Sequence, residues 1–436
     1  MYVNRVLIIY NNVASRVLFC GTHNLKLDII VFINFREIYI MIDTIKSVEE
    51  FKELVSSVES SANYKKPVAF GIAKVDRGQK SADKILQANF AVINWNENFG
   101  SAAVFVKALQ ESGVEVDFSG SEFTTTIDDR FVANAMAAFA PFLAEAVGDA
   151  HKNVQVIKVL SELGDIARDY TIAILFEDDA PKSVEAVYLK LYALSLGKAK
   201  LRGINLNGAF GILSNVAWVG NKPYELEYLR ENEIEMKLKG TFPNIDSVDK
   251  FPRFLQHIIP ADNTRVLDSS KVRMGAQLAA GTTVMPGASY INFNAGTLGP
   301  VMVEGRISSS AIVGSGSDVG GGASILGVLS GTDGNPISIG ENTLLGANSV
   351  TGLPVGDSCI VDAGVTILAG TKIKITKDQL TLIKEANPEA NLEDKEYFKG
   401  AELANLNGIH YRQDSTTGEI LARRSTREVK LNEELH

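Results

Sequence analysis

The chain has 436 residues, a length that suits two or three domains. With 45% hydrophobic and 22% charged residues it has the balance of an ordinary globular protein, which excludes a largely disordered one. A net charge of −9 argues against nucleic acid as the main partner, because a phosphate-binding face needs a basic excess. The two cysteines, Cys20 and Cys359, make neither a disulfide framework nor a zinc site, so a cytoplasmic location is expected, with Cys359 a small buried hydrophobe.

In chain order, residues 1–40 are apolar but interrupted by Arg5, Arg16, Lys26 and Arg36. Their apolar runs are too short to span a bilayer and lack the order of a signal peptide, so no membrane partner is expected. Met41 opens a conventional soluble start, MIDTIKSVEEFKELV, and residues 1–40 are expected to be upstream sequence ahead of the true initiator.

Residues 41–265 read as a mixed α/β domain. VAFGIAKVD (68–76), FAVINW (90–95) and YTIAILFE (170–177) are short, apolar and β-branched, as strands are. Helices are expected over 129–147, ahead of Gly148, over 183–197, stopped by Gly197, and over the charged stretch 224–240.

Over 266–373 helical periodicity gives way to a six-residue rhythm. Aliphatic residues stand at Val272, Leu278 and Val284, then at Val301, Ile307, Val313, Val319 and Ile325. They return at Ile339 and Leu345, then at Val355, Val361, Ile367 and Ile373, often followed by glycine. This is the hexapeptide repeat, in which each unit supplies one side of a triangular coil and points its aliphatic residue into the prism. About one hundred such residues give roughly six coils of a parallel β-helix. The phase slips near Tyr290 and again between Ile325 and Ile339, where GVLSGTDGNP (327–336) reads as a projecting loop. Residues 374–436 form a small C-terminal segment, partly helical, then β-like, with a basic run at Arg423–Arg427.

Prisms of this kind assemble as trimers and mostly transfer acyl groups from coenzyme A or acyl carrier protein, a fold-level analogy. No histidine lies between 272 and 373, which removes a coil-borne histidine base and a histidine zinc site. A coil base or nucleophile is therefore a carboxylate: Glu304, Asp318, Asp333, Glu341, Asp357 or Asp362. Glu304 has Arg306 two residues on, in VMVEGRISSS. Residues two apart on a strand share a face, so the pair is expected to meet one substrate, the arginine fork suiting a carboxylate. A structural ion pair is the other reading, and the residues alone do not choose. Asp318, Glu341 and Asp357 flank glycines at corner-like positions and are expected to be solvated or to cap turns.

INFNAGTLGPVMVEGRISSSAIVGSGSDVGGGASILGVLSG (291–331) resembles the tetrahydrodipicolinate N-succinyltransferase family, in its actinobacterial, pseudomonad and epsilon-proteobacterial branch. ISIGENTLLGANSVTG (337–352), GINLNGAFGILSNVAWV (203–219) and VDKFPR (248–253) resemble it too, so the similarity covers nearly everything after Met41. The resemblance implies a left-handed β-helix, a homotrimer, and succinyl transfer from succinyl-CoA to the amine of ring-opened tetrahydrodipicolinate, a step toward diaminopimelate and lysine. It implies Glu304 as the catalytic residue, either base or acyl-accepting nucleophile. It implies donor contacts at Arg306, Gly321, Ser324, Ala347, Asp362, Ala363 and Gly370, with Lys384, Arg412, Gln413, Asp414 and Ser415 at the coenzyme's nucleotide end. Asp362 stands where relatives often have glutamate, and Arg-Gln-Asp-Ser (412–415) has one positive charge fewer than the family's Arg-Arg-Asn-Ser. Backbone N–H groups of Gly320–Gly322 or Gly327 are candidates for the oxyanion, although corner-turning is the role expected of most of these glycines.

Some members hold a trimer-axis magnesium with carboxylates just before this core. Ser270 and Pro286–Ala288 offer none, so neither a metal nor a tightly bound cofactor is expected. The competing readings are an acetyl-transferring hexapeptide enzyme and a non-catalytic β-helix scaffold.

Overall fold

A computed structural model describes residues 42–431 except 165, 167, 329–333, 428 and 430. The expectation for residues 1–40 lies outside the described residues. So does Asp333, together with the middle of the expected 327–336 loop.

Helix α1 (Val48–Glu59) starts at Ser47, whose hydroxyl accepts the Glu50 N–H at 3.1 Å, while the Glu50 carboxylate accepts the Lys46 N–H at 2.7 Å. Each bond satisfies a backbone donor at the helix start. Strands β1 (Ala69–Arg77), β2 (Ile85–Trp95), β3 (Glu122–Thr126) and β4 (Tyr170–Leu175) form an antiparallel sheet in the order β2-β1-β4-β3. Helices α2 (Phe99–Glu111), α3 (Asp129–Ala138) and α4 (Lys152–Leu163) build one core with α1 and the sheet. Helix α3 stops well short of the expected 147. Pro141 cannot donate an N–H, and the chain passes into a 3₁₀ turn at Ala140–Phe142.

Helix α5 (Val184–Ser195) is buried from Glu185 to Ser195 and lies between the sheet and the prism. Its Ser195 hydroxyl accepts the Gly275 N–H of the first coil at 2.8 Å. Arg202 fastens the same junction. Its guanidinium donates to Ser310 O at 2.6 Å, Ser338 Oγ at 3.0 Å and Ile337 O at 2.5 Å. A short helix, α6 (Ala209–Ile212), precedes a three-stranded sheet in which β5 (Val216–Val219) pairs with β6 (Lys222–Glu225) and β7 (Ser247–Asp249). Helix α7 (Leu226–Lys239) follows β6 and buries only Leu229.

From Arg265 the chain visits three parallel sheets in rotation, which makes a parallel β-helix. The inward rows follow from strand register. On the first face Val284, Val303, Val319, Leu345 and Val361 stack on one another. On the second stand Val272, Ile291, Ile307, Ile325, Thr351 and Ile367. On the third stand Leu278, Thr297, Val313, Ile339 and Val355. All fourteen aliphatic positions read from the rhythm are buried, and each inward aliphatic adds about 1.5–3 kcal/mol. One position differs: Val303 occupies the row, and Val301, also buried, sits opposite Ser317. Consequently Val303 and Ile307 are only four residues apart, whereas Val319 and Ile325, Leu345 and Thr351, and Val361 and Ile367 are six apart. The corner carrying Glu304 is a shortened one.

After helix α8 (Lys377–Ala386) the strand Ile409–Gln413 returns to the first face. It pairs in parallel with Ile360–Val361, and Ile420–Arg424 closes a hairpin on it.

His257 sits where the N-terminal sheet, α5 and the prism meet, edge-on to Tyr188 and Tyr192. The Gln87 amide nitrogen donates to Asp76 at 2.6 Å and to Asn221 O at 3.0 Å, leaving its oxygen to accept from His257 Nε2 at 3.1 Å. Nδ1 then accepts the Tyr192 hydroxyl proton at 2.7 Å. Burial pushes the imidazole down from its ordinary 6.5 to about 3. Between those two pH values the unfolded chain binds a proton that the folded chain does not, so stability is full above ~6.5 and falls as pH falls toward ~3. We expect this group to contribute on the order of 3–4 kcal/mol to that loss. Denaturant unfolding at pH 7 and pH 4 should show a smaller pH-dependent drop in His257→Gln than in the parent; equal drops would exclude His257 as the cause.

Candidate active site

Glu304 follows the strand Val301–Val303 on the first face, and Arg306 opens the strand Arg306–Ile307 on the second. The expectation that the two share a strand face is therefore wrong, because the shortened corner turns between them. Gly305 makes that turn possible. A Cβ there would lie 2.3 Å from Ala323 O and 2.8 Å from Gly320 O. The corner is tied to its neighbours by Glu304 N–H to Val319 O at 2.8 Å, Arg306 N–H to Ala323 O at 2.7 Å, and Tyr290 N–H to Gly305 O at 3.1 Å. Among the described residues no ion pair joins Glu304 to Arg306. Arg306 instead donates to Ser324 Oγ at 2.6 Å, its register neighbour in the next coil.

Glu304 is half-buried, and its Oε2 lies 3.7 Å from where a Cβ on Gly321 would stand. The absent side chain leaves the carboxylate open on that side. Of the glycine N–H groups considered for an oxyanion, Gly320 donates to Leu345 O and Gly322 to Glu304 O. The Gly321 N–H makes no hydrogen bond among the described residues.

The same edge continues coil by coil. A Cβ on Gly320 would approach Ala347 N, and one on Gly346 would meet Ala363 N, so Gly321, Ala347 and Ala363 follow one another down one corner of the prism. The Gly364 N–H donates to Ala347 O at 2.8 Å. Asp362 lies on this edge too. Its Oδ1 is 2.7 Å from His410 Nε2, and Arg412 Nε is 3.8 Å from its Oδ2. His410 was not legible as a site neighbour, because its strand reaches Ile360–Val361 across some fifty residues.

The protomer thus brings Glu304, Arg306, Gly321, Ser324, Ala347, Asp362, Ala363 and Arg412 to one edge. It does not bring the other candidates there. Gly370 lies beyond the far end of the second-face strand Thr366–Leu368. Lys384, on α8, pairs with Asp394 at 2.6 Å. Gln413 Nε2 donates to Gly418 O, and Asp414 accepts the N–H groups of Thr416 and Thr417, which holds its carboxyl below the usual range, so both shape the hairpin turn that Ser415 shares.

Of the other coil carboxylates, Asp357 caps a turn by accepting the Glu341 N–H at 2.7 Å, and Glu341 is exposed. Asp318 is not at a corner. It lies mid-strand on the first face, between Met302 and Leu344. Cys359 is buried, and burial pushes its thiol up to about 11, the behaviour of a small core residue. Among the described residues no group of three or more His, Cys, Asp or Glu side chains is placed to hold a metal ion, and no helix is long and apolar enough to cross a membrane.

Family models for the N-terminal and middle parts of tetrahydrodipicolinate N-succinyltransferase match residues 49–211 and 213–253, and a hexapeptide-repeat model of succinyl-transferase matches 336–369. A 2,3,4,5-tetrahydropyridine-2,6-dicarboxylate N-succinyltransferase of Sulfurovum sp. is 77% identical over 395 residues, covering 91% of this chain and 100% of its own length. The chain belongs to the tetrahydrodipicolinate N-succinyltransferase family. A further family member, from Campylobacter jejuni, is 59% identical over 90% of this chain and 100% of its own. A Campylobacter jejuni crystal structure described as a 2,3,4,5-tetrahydropyridine-2-carboxylate N-succinyltransferase superposes with a TM-score of 0.84 at 57% identity, covering 89% of this chain and all of that one. The family assignment agrees with the motifs around the shortened corner.

Proposed function

We propose that this chain transfers a succinyl group from succinyl-CoA to the amine of ring-opened tetrahydrodipicolinate, giving N-succinyl-2-amino-6-oxopimelate for diaminopimelate and lysine synthesis in the cytoplasm. The observation that carries this reading is the Glu304 carboxylate, open toward Gly321 at the head of an edge lined by Ala347, Asp362 and Ala363 and ending at Arg412.

Glu304 acts on the reacting centre. As a base it removes the proton of the attacking amine; as a nucleophile it takes the succinyl group and passes it on. The Gly321 N–H faces the developing oxyanion, and Arg306, held by Ser324, faces the succinyl end of the donor. The small residues along the edge leave room for the coenzyme arm, and Arg412 meets its anionic end.

The prism is left-handed in this reading and assembles as a homotrimer, so that a neighbour's wall completes the acyl groove. Leu298, 58% exposed, and Ile259, 94% exposed, are apolar side chains that such assembly would shelter. Light scattering should return about three times the chain mass; an active monomer would remove the shared groove. The function itself is tested by thiol release from purified protein with tetrahydrodipicolinate. Release from succinyl-CoA well above that from acetyl-CoA is expected. Preference for acetyl-CoA would favour the acetyltransferase alternative, and no release from either would favour the scaffold.

A further inference from the structure

The second face of the prism is chemically divided at the Glu304 corner. Its outward residues form two columns fixed by register. One runs Tyr290, Arg306, Ser324, Val350, Thr366. The other runs Arg273, Asn292, Ser308, Leu326, Gly352, Leu368, each one residue beyond an inward position. Beyond Ser324 and Ser308 the columns carry Val350, Leu326, Gly352 and Leu368, with Thr366 the one polar residue. Before them they are polar and cationic.

Arg253, in the VDKFPR stretch that the reaction has so far left unused, extends the cationic end. It pairs with Arg273 through a single antiparallel bridge beside the first coil, and cross-strand partners point to the same side of a sheet. Its Nη1 donates to Ser270 O at 3.0 Å. Tyr290 opens the next strand of this face, where burial raises its phenol above the ordinary value and the charges of Arg273, Asp249 and Arg253 act on it in that order of strength. The nearby carboxylates are already engaged: Asp249 is held by Arg273 through a bidentate pair at 2.8 and 3.0 Å, and Asp268 caps Ser270 at 2.8 Å and lies 3.9 Å from Lys271. Among the described residues neither Arg253 nor Arg306 has a carboxylate within ion-pair distance. A half-buried guanidinium with no ion-pair partner, on a face it shares with a phenol, is suited to receive a ligand carboxylate.

We propose that Arg253 and Tyr290 bind a carboxylate of the acceptor, a small amino dicarboxylate, and fix its amine toward Glu304. The donor then runs along the edge from Glu304 toward Arg412, and the acceptor approaches from the opposite side, across the cationic end of the second face. The backbone bond from Tyr290 N–H to Gly305 O puts Tyr290 one coil from the reacting carboxylate, and Arg253 lies two strand spacings further along the same face. The inference rests on the succinyl-transfer reading.

The test compares Arg253→Gln and Tyr290→Phe with the parent chain, using succinyl-CoA, tetrahydrodipicolinate and the unreactive flat analogue pyridine-2,6-dicarboxylate. Arg253→Gln should raise the acceptor KM by at least ~30-fold and weaken competitive inhibition by the analogue to match, with the succinyl-CoA KM changed by less than about twofold. Tyr290→Phe removes only the hydroxyl and should raise the acceptor KM by roughly threefold to tenfold. It carries the test alone if loss of the Ser270 bond unfolds the arginine variant. An unchanged acceptor KM in a folded, active variant, or a shift confined to the donor KM, overturns the subsite. Calorimetric binding of the analogue to parent and variant reads the subsite without turnover, so its failure is distinct from a failure of succinyl transfer: equal affinities overturn it, and affinity lost only in the variant supports it.

Discussion

Glu304→Gln is expected to lower kcat by at least ~10²-fold while leaving the KM for succinyl-CoA nearly unchanged. The amide keeps the side chain's size, so the half-buried site beside Gly321 stays filled, but it neither accepts a proton from the amine nor takes up an acyl group. A purely structural role for Glu304 would require a partner for its carboxylate. Among the described residues there is no ion pair with Arg306, so the substitution should cost little stability and nearly all the rate. Glu341→Gln, an exposed corner of the third face, is the control and should behave as the parent does. Equal small losses in both variants would make Glu304 a packing residue and defeat the mechanism.

Gly305→Ala is expected to be as damaging by a different route. It touches no titratable group, yet its methyl would be driven to 2.3 Å from Ala323 O. Relief requires the corner to move, and a displacement of about 1 Å at a reacting group costs on the order of 10²-fold in rate. Overpacking should also cost roughly 1–3 kcal/mol of stability, a modest loss for a wall cross-bonded on both sides. The variant should therefore fold, melt a few degrees lower, and turn over about a hundredfold more slowly. Full activity would mean that the four-residue spacing between Val303 and Ile307 does not fix the position of Glu304.

That spacing also marks the limit of what the sequence disclosed. The rhythm of aliphatic residues located the prism and its core, because a coil buries one side chain per flat side and exposes its neighbours. It misplaced the row at Val301 because Val303 is equally apolar, and it passed over Thr297 and Thr351, inward residues whose hydroxyls disguise β-branched packing. In the N-terminal domain β1, β2, β4, α3, α5 and α7 were legible in part or whole, whereas α1, β3 and α4 were passed over. Helix α2 was passed over as well: it is buried from Ala102 to Val106 and shows no polar face there, and its cap residue Asn98 is left-handed and makes no side-chain capping bond. The candidates near Glu304 in sequence came from the family motifs. The adjacency of His410 to Asp362 and of Arg253 to Arg273 was not legible, because each arises through strand pairing between distant segments, Ile360 with His410 and Arg253 with Arg273, which local pattern does not encode.

Helix α7 illustrates the converse. Its fourteen residues were easily read, yet it buries only Leu229, and Ile234 and Leu238 stand 78% and 85% exposed. Ion pairs from Lys237 to Glu233 and from Lys239 to Glu235, four residues apart, support its last two turns, each by a few tenths of a kcal/mol.

The stacked edge sets a length as well as a position. From Val303 the first face steps to Val319, Leu345, Val361 and then Tyr411, the neighbour of Arg412. Four strand spacings of about 4.8 Å place the Arg412 strand roughly 19 Å from the strand leading to Glu304. The prism is thus a ruler whose graduations are its coils. In the proposed reading a donor is selected by how far its anionic end lies from its thioester, and a thioester of a shorter carrier that satisfied Glu304 would leave Arg412 empty. Removing one coil would shorten the measure by about 5 Å and exclude the long donor without altering a single reacting group.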